Sequence, residues 1–272
     1  MKPDPDAQRA QRIKDSVEKN FDRSSKEYFD FEERAGFFSK MAIDMAQYCG
    51  IAPGMRVLDV GCGTGASSFA LLEHVGQDGI VIGVDISAQM LSVADVLRKK
   101  RRATNIQFVK CEAQDLYGTL DLTFDVALFN ASIFLIPRTD QVLDGVRNIL
   151  VPEGRLAFNY INYDLRPEGQ YYGMLDEANR PQMGTALWDK DDLAGILSRV
   201  GFLKVKSDVA KYQLPLDVVK GFYMVPAMSA SLFPKLDAAE RRQKVGAIFD
   251  DLSSKGVREI TQEWVRYYCV RR

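Results

Sequence analysis

Three glycines at alternate positions, Gly61, Gly63 and Gly65, follow Val57-Leu58-Asp59-Val60 and are separated by Cys62 and Thr64. Val57, Leu58 and Val60 read as a short strand buried on both faces, and the glycines as a tight turn feeding a helix. Without side chains at the three positions, a ligand can lie against bare backbone where a strand ends and a helix with exposed N–H groups begins. That is a place for a nucleotide or nucleoside. The G-x-G-x-G spacing, continued by Ala66-Ser67-Ser68, departs from the dinucleotide pattern G-x-G-x-x-G, and no lysine follows to make a phosphate-gripping loop. Asp59 sets a carboxylate beside the turn, so an anion is a poor guest and a cationic or zwitterionic one is favoured.

Further polar residues fall at the ends of later apolar runs. Ile80–Val84 reads as a strand ending at Asp85, twenty residues beyond Gly65. A carboxylate there is placed to hold a ribose diol, as in the dinucleotide folds. The competing reading is an N-cap or turn aspartate, since Ser87 and a helix over 88–100 follow at once. Phe124–Phe129 reads as another strand with Asn130 at its carboxyl end, where ligands lie in open α/β sheets. His74, the single histidine, falls at the far end of the helix after the glycine turn and reads as a surface or packing residue. Cys49, Cys62, Cys111 and Cys269 form no C-x-x-C pair, so no metal site is expected and the thiols read as reduced.

The elements that must position these residues alternate strand and helix. Helices are expected over Thr64–Val75, 88–100 and Arg138–Leu150, and strands at Asn105–Lys110, Val151–Tyr160, Gly201–Tyr212 and Glu263–Val270. Residues 1 to about 20 are dense in charge and read as a frayed helix or disordered arm, with order beginning near Phe21. From Ser24 to Cys49 the spacing of Tyr28, Phe31, Phe37, Phe38, Met41, Met45 and Tyr48 predicts one or two amphipathic helices. Tyr163–Trp188, broken by prolines and glycines, reads as a loop-rich insertion above the site. The interval Pro215–Thr261, rich in Met, Phe and Leu, reads as a helical cap, in which such a stripe is either core or pocket lining.

VLDVGCGTG, residues 57–65, resembles the first motif of the class I S-adenosylmethionine-dependent methyltransferases over all nine positions. The resemblance implies an α/β fold: a doubly wound, mostly parallel seven-stranded sheet with an antiparallel closing strand, plus helical cap insertions. The implied division is an N-terminal helical arm or cap at 1–50, a Rossmann-like core at 51–214 plus 262–272, and a cap insertion at 215–261. The implied cofactor is S-adenosylmethionine, which carries a sulfonium and an ammonium and no phosphate. Its expected contacts are Asp59, Gly61, Cys62, Gly63 and Gly65 at the turn, and Asp85, Ile86 and Met90 after the second strand. Glu112 and Ala113 fall where the family's G-D-A segment takes the adenine amino group and a ring nitrogen, although Cys111 replaces its usual glycine. Asn130 is expected to border the transferring methyl. Tyr28 either faces the methionyl end or simply packs. Glu153 replaces a glycine in the family's L-x-P-G-G turn. Asn130-Ala131-Ser132-Ile133 lacks the N/D-P-P-Y/F/W run of enzymes that methylate base amino groups.

Composition narrows the partners. Basic and acidic residues number 36 and 37, for a net charge of -1, so no general pull toward nucleic acid or anionic membrane exists. Arg98–Arg102 is a basic run at an expected helix end, where a solvated, dipole-complementing role competes with a polyanion contact. No apolar run approaches membrane-spanning length and Met1–Asp6 lacks a signal-peptide core, so no membrane insertion and a cytoplasmic location are expected. The expected partner is a small, apolar or aromatic methyl acceptor, with the accepting atom and the oligomeric state open. No catalytic residue is assigned. If the acceptor needs a base, an acid or tyrosine from the caps, such as Tyr28, Tyr160 or Tyr223, is the candidate. The alternatives are an RNA or protein methyltransferase, or a fold relative that binds the cofactor without methyl transfer.

Overall fold

The computed structural model describes residues 5–161, 193–233 and 235–272. The insertion expected at 163–188 lies outside the described residues. Seven described strands form one sheet in the order β3-β2-β1-β4-β5-β7-β6. They are β1 (Arg56–Val60), β2 (Ile80–Asp85), β3 (Ile106–Lys110), β4 (Phe124–Phe129), β5 (Leu150–Ile161), β6 (Phe202–Pro215) and β7 (Glu259–Arg271). All run parallel except β7, which inserts antiparallel between β5 and β6. The strand order reverses beside β1, so the crevice between β1 and β4 is the switch point at which such sheets hold ligands.

The central strands are apolar because both of their faces are covered. Val57 and Leu58 of β1 are fully buried and belong to different cores, one on each face of the sheet. One face carries α2 (Phe37–Cys49) and α3 (Ala66–Val75); the other carries the short α5 (Leu116–Thr119), α6 (Thr139–Ile149) and α7 (Leu193–Arg199). Between β6 and β7 stand α8 (Leu216–Met224), α9 (Pro226–Leu232) and α10 (Ala238–Ser254), with their own core of Val219, Tyr223, Phe249 and Leu252. An Asp237–Glu240 capping box starts α10. The Met and aromatic stripe of this segment therefore divides: Tyr223 and Phe249 are cap core, whereas Phe222 also reaches Phe31 and Phe38.

Order begins earlier than the charge density predicts. Helix α1 runs from Pro5 to Ala35, so the expected start near Phe21 is corrected by some four turns. Its polar N-terminal half is held by partners distant in sequence: Lys14 pairs with Glu112, Glu18 with Lys110, and Asp22 accepts from Ser87 Oγ at 2.6 Å. The charge density of this segment gives no sign in the sequence of partners that lie 65 to 98 residues away. Left-handed Gly36, φ 56°, separates α1 from α2, and buried Glu32 caps α2 by accepting from the amides of Phe38 and Ser39. Helix α4 (Ala88–Arg101), which packs against α1, starts at Ser87, whose Oγ accepts from Met90 N.

Candidate functional site

The glycine turn is pinned to β2 and packed from two sides. Gly61 N and Cys62 N donate to Val84 O at 2.8 and 3.0 Å, and Gly65 N to Cys62 O at 2.9 Å. A Cβ on Gly61 would lie 2.5 Å from Ser132 Cβ, and one on Gly65 2.9 Å from the Phe108 ring, so both glycines are demanded by packing. Gly63 differs, because a Cβ there would meet only the Tyr28 ring edge, 3.8 Å away. The bare backbone that the motif offers to a ligand is therefore Gly63, and Tyr28 is the side chain that faces it.

Two carboxylates flank this position. Asp85 accepts from Gly63 N at 2.9 Å and from Ser87 N at 2.8 Å, one bond to each oxygen. Each oxygen keeps a lone pair for a diol, so the ribose and turn readings of Asp85 hold together geometrically. Desolvation raises its pKa, opposed by the amides of Ser87, Gly63 and Ile86. Asp59 is 1% exposed; its Oδ2 accepts from Ser68 Oγ at 2.6 Å, while Oδ1 has no hydrogen-bond partner. Burial pushes its pKa up to about 7, against the Ser68 bond and with help from the charge of Asp85. A buried carboxylate oxygen without a donor is costly unless it is protonated or meets a cation.

The expected adenine side lies along α1. Glu112 is paired with Lys14, and Ala113 opens a short 3-10 turn, Ala113–Asp115. Ile86 is half-buried between Asp85 and the α4 cap, whereas Met90 is fully enclosed in the protein. Tyr28 stacks on Phe38 at 5.4 Å. Desolvation and the charges of Glu32, Asp85 and Asp59 hold its phenol well above the usual value, so Tyr28 is a protonated hydrogen-bond donor at neutral pH. The other two tyrosine candidates belong to cores, Tyr160 beside Tyr267 and Tyr223 beside Phe249.

Asn130 stands at the end of β4 as expected, yet its amide is committed to the protein. Its Nδ2 donates to Phe38 O and Ser67 Oγ at 3.0 and 2.8 Å, and its Oδ1 accepts from Asn159 Nδ2 at 2.8 Å. Asn159 is the residue that sequence reasoning missed, since a polar residue near the end of a buried strand was the only signal. Beyond β4, Tyr28 and Ala131 pack against an aromatic wall of buried Phe31, Phe37, Phe38 and Trp264, which Phe134 and Phe222 extend. His74 interacts with Ala70 O at the far end of α3, and the four cysteines are free and buried. The basic run at 98–102 closes α4, with Arg98 and Lys99 paired to Asp95. Among the described residues, no cluster could hold a metal ion and no helix is long and apolar enough to cross a membrane.

A Rossmann-like sheet with an inserted antiparallel strand, a glycine turn and acidic strand ends defines a nucleoside-binding α/β domain of the methyltransferase architecture. The chain belongs to the methyltransferase domain family, which matches residues 51–201. It is 36% identical over 112 residues to arsenite methyltransferase of Halobacterium salinarum, covering 41% of this chain and 28% of that protein. Aklanonic acid methyltransferase DauC of a Streptomyces species is 33% identical over 147 residues, 53% of this chain and 64% of that protein. The chain thus spans less than two thirds of these curated relatives. Among solved structures, the [4+2]-cyclase SpnF superposes with a TM-score of 0.57 at 18% identity, covering 86% of this chain and 81% of that one, a likeness of fold alone.

Proposed function

We propose that this chain transfers the methyl group of S-adenosylmethionine to a small apolar or aromatic molecule. The observation that carries the cofactor is the orphaned buried oxygen of Asp59, in the strand that leads into the turn of bare Gly63: it suits an ammonium, and no phosphate. Asp85 would hold the ribose, Glu112 and Ala113 the adenine, and Tyr28 would close over the methionyl arm. The bound cofactor supplies a sulfonium-activated methyl group. The relatives named for arsenite and for aklanonic acid support a small acceptor, and the aromatic wall of Phe38, Phe134 and Trp264 supports an apolar or planar one.

The chain's own part is alignment and exclusion of water. Positioning of this kind is worth on the order of 7–11 kcal/mol of barrier lowering. With Tyr28 held protonated, Tyr160 in β5 within the sheet core rather than in a cap, and Tyr223 in the core of α8–α10, the described residues favour an acceptor that is already nucleophilic, such as a phenolate, amine, thiolate or stabilised carbanion. The test is transfer of labelled methyl from S-adenosylmethionine to candidate acceptors of this class and to RNA or protein. Labelling of a small aromatic acceptor supports the reading; labelling of a polymer alone, or cofactor binding with transfer to none, overturns it.

A further inference from the structure

Ala131, directly after β4, has φ 58°, a left-handed conformation that costs a residue with a Cβ roughly 1–2 kcal/mol. Such strain persists only where the surroundings over-determine it, and it gathers at functional sites. Here Asn159 does the holding. It is fully buried, its Oδ1 accepts from Ala131 N at 2.6 Å, and its Nδ2 donates to Asn130 Oδ1 at 2.8 Å. Asn130 passes the constraint on to Ser67 in the first turn of α3 and to Phe38 of the aromatic wall. On the other side of Ala131, Ser132 Oγ donates to Val60 O at 2.6 Å and its Cβ fills the space that Gly61 leaves. One asparagine thereby joins the wall expected to face the acceptor, the start of the cofactor helix and the shoulder that rests on the glycine turn.

We infer that Asn159 is a positioning residue for methyl transfer, fixing Ala131 in its left-handed conformation and so setting the spacing between the end of β4 and the cofactor turn. This rests on the methyltransferase reading above. Asn159 touches neither reacting partner; it acts through Ala131, Asn130 and Ser132. A misplacement of about 1 Å at such a site can cost about a hundredfold in rate, so once an acceptor is in hand Asn159→Ala should lower kcat by about that factor and leave KM for the cofactor unchanged.

A readout that needs no acceptor is the NMR signal of S-adenosylmethionine labelled with carbon-13 in its methyl group, bound to the full chain. In the wild type the signal should be displaced from its free position. In Asn159→Ala it should move back toward that position while calorimetric affinity is retained. Asn159→Asp, nearly isosteric, covers the case in which the alanine variant does not fold: it keeps the acceptor for Ala131 N, loses the donor to Asn130, and should shift the signal in the same direction. Val146→Ala, a core cavity under α6, should lower stability and leave the signal in place. If the wild type does not bind the labelled cofactor, the methyltransferase reading itself falls. If it binds and the folded Asn159 variants give the wild-type signal, or Val146→Ala moves it equally, the positioning role is overturned alone.

Discussion

Protonation of Asp59 should govern cofactor affinity. Its Oδ1 lacks a donor and burial pushes its pKa up to about 7, so near neutral pH the folded chain holds it partly as the neutral acid. An ammonium guest needs the carboxylate, so below the folded value each pH unit costs close to tenfold in affinity. Between about pH 5.5 and 7 the ionised fraction rises from about 3% to about one half, which predicts an affinity gain of about 16-fold, or about 1.6 kcal/mol. S-adenosylhomocysteine, which carries the same ammonium, is the probe; near pH 8 that group begins to lose its own proton and the window closes. Stability of the chain alone should run the other way. A raised carboxylate pKa contributes stability that is fully present below the unfolded value of about 3.9 and is lost as pH climbs through the folded value. Asp59→Asn should therefore raise the melting temperature at about pH 8, weaken binding and flatten its pH dependence. Because Asp85 is raised as well, the variant rather than the profile assigns the slope. Calorimetry in buffers of different ionisation enthalpy reads affinity and proton release together. A flat wild-type profile, or an unchanged slope in Asp59→Asn, refutes the reasoning.

Three other outcomes are expected. Gly63→Ala should fold and weaken cofactor binding, whereas Gly61→Ala and Gly65→Ala should lower thermal stability first, because their Cβ atoms would meet Ser132 and Phe108; equal behaviour of all three would mean that Gly63 does not face the ligand. Lys14→Ala should quicken both entry and release of S-adenosylhomocysteine in stopped flow, since it frees α1 from Glu112; unchanged rates would show that α1 does not cover the adenine side. Glu153, at φ 61°, stands where glycine would be unstrained, so Glu153→Gly should add about 1 kcal/mol of stability and about 2–4 °C to the melting temperature, read by calorimetry.

Much of the core was legible because it rests on local rules. The buried run Val57–Val60, the glycine turn and the later apolar runs each declare strand or turn through a few neighbouring residues, and the order of the strands follows from the family motif. The carboxylates at strand ends were legible for the same reason, since a strand that stops at Asp85 leaves that side chain at the rim. What each side chain does there was not legible. Glu112 looks free in the sequence and is held by Lys14, 98 residues away; Asn130 looks poised toward a ligand, yet its amide is committed to Phe38, Ser67 and Asn159. A charged arm became an ordered helix because its partners, Glu112, Lys110 and Ser87, are gathered from the ends of two strands, β2 and β3, far from it in sequence. Local sequence sets which residues reach the site, through propensity and periodicity; only the tertiary structure decides which of them are already engaged, because desolvation and long-range pairing depend on neighbours that the chain brings together from afar.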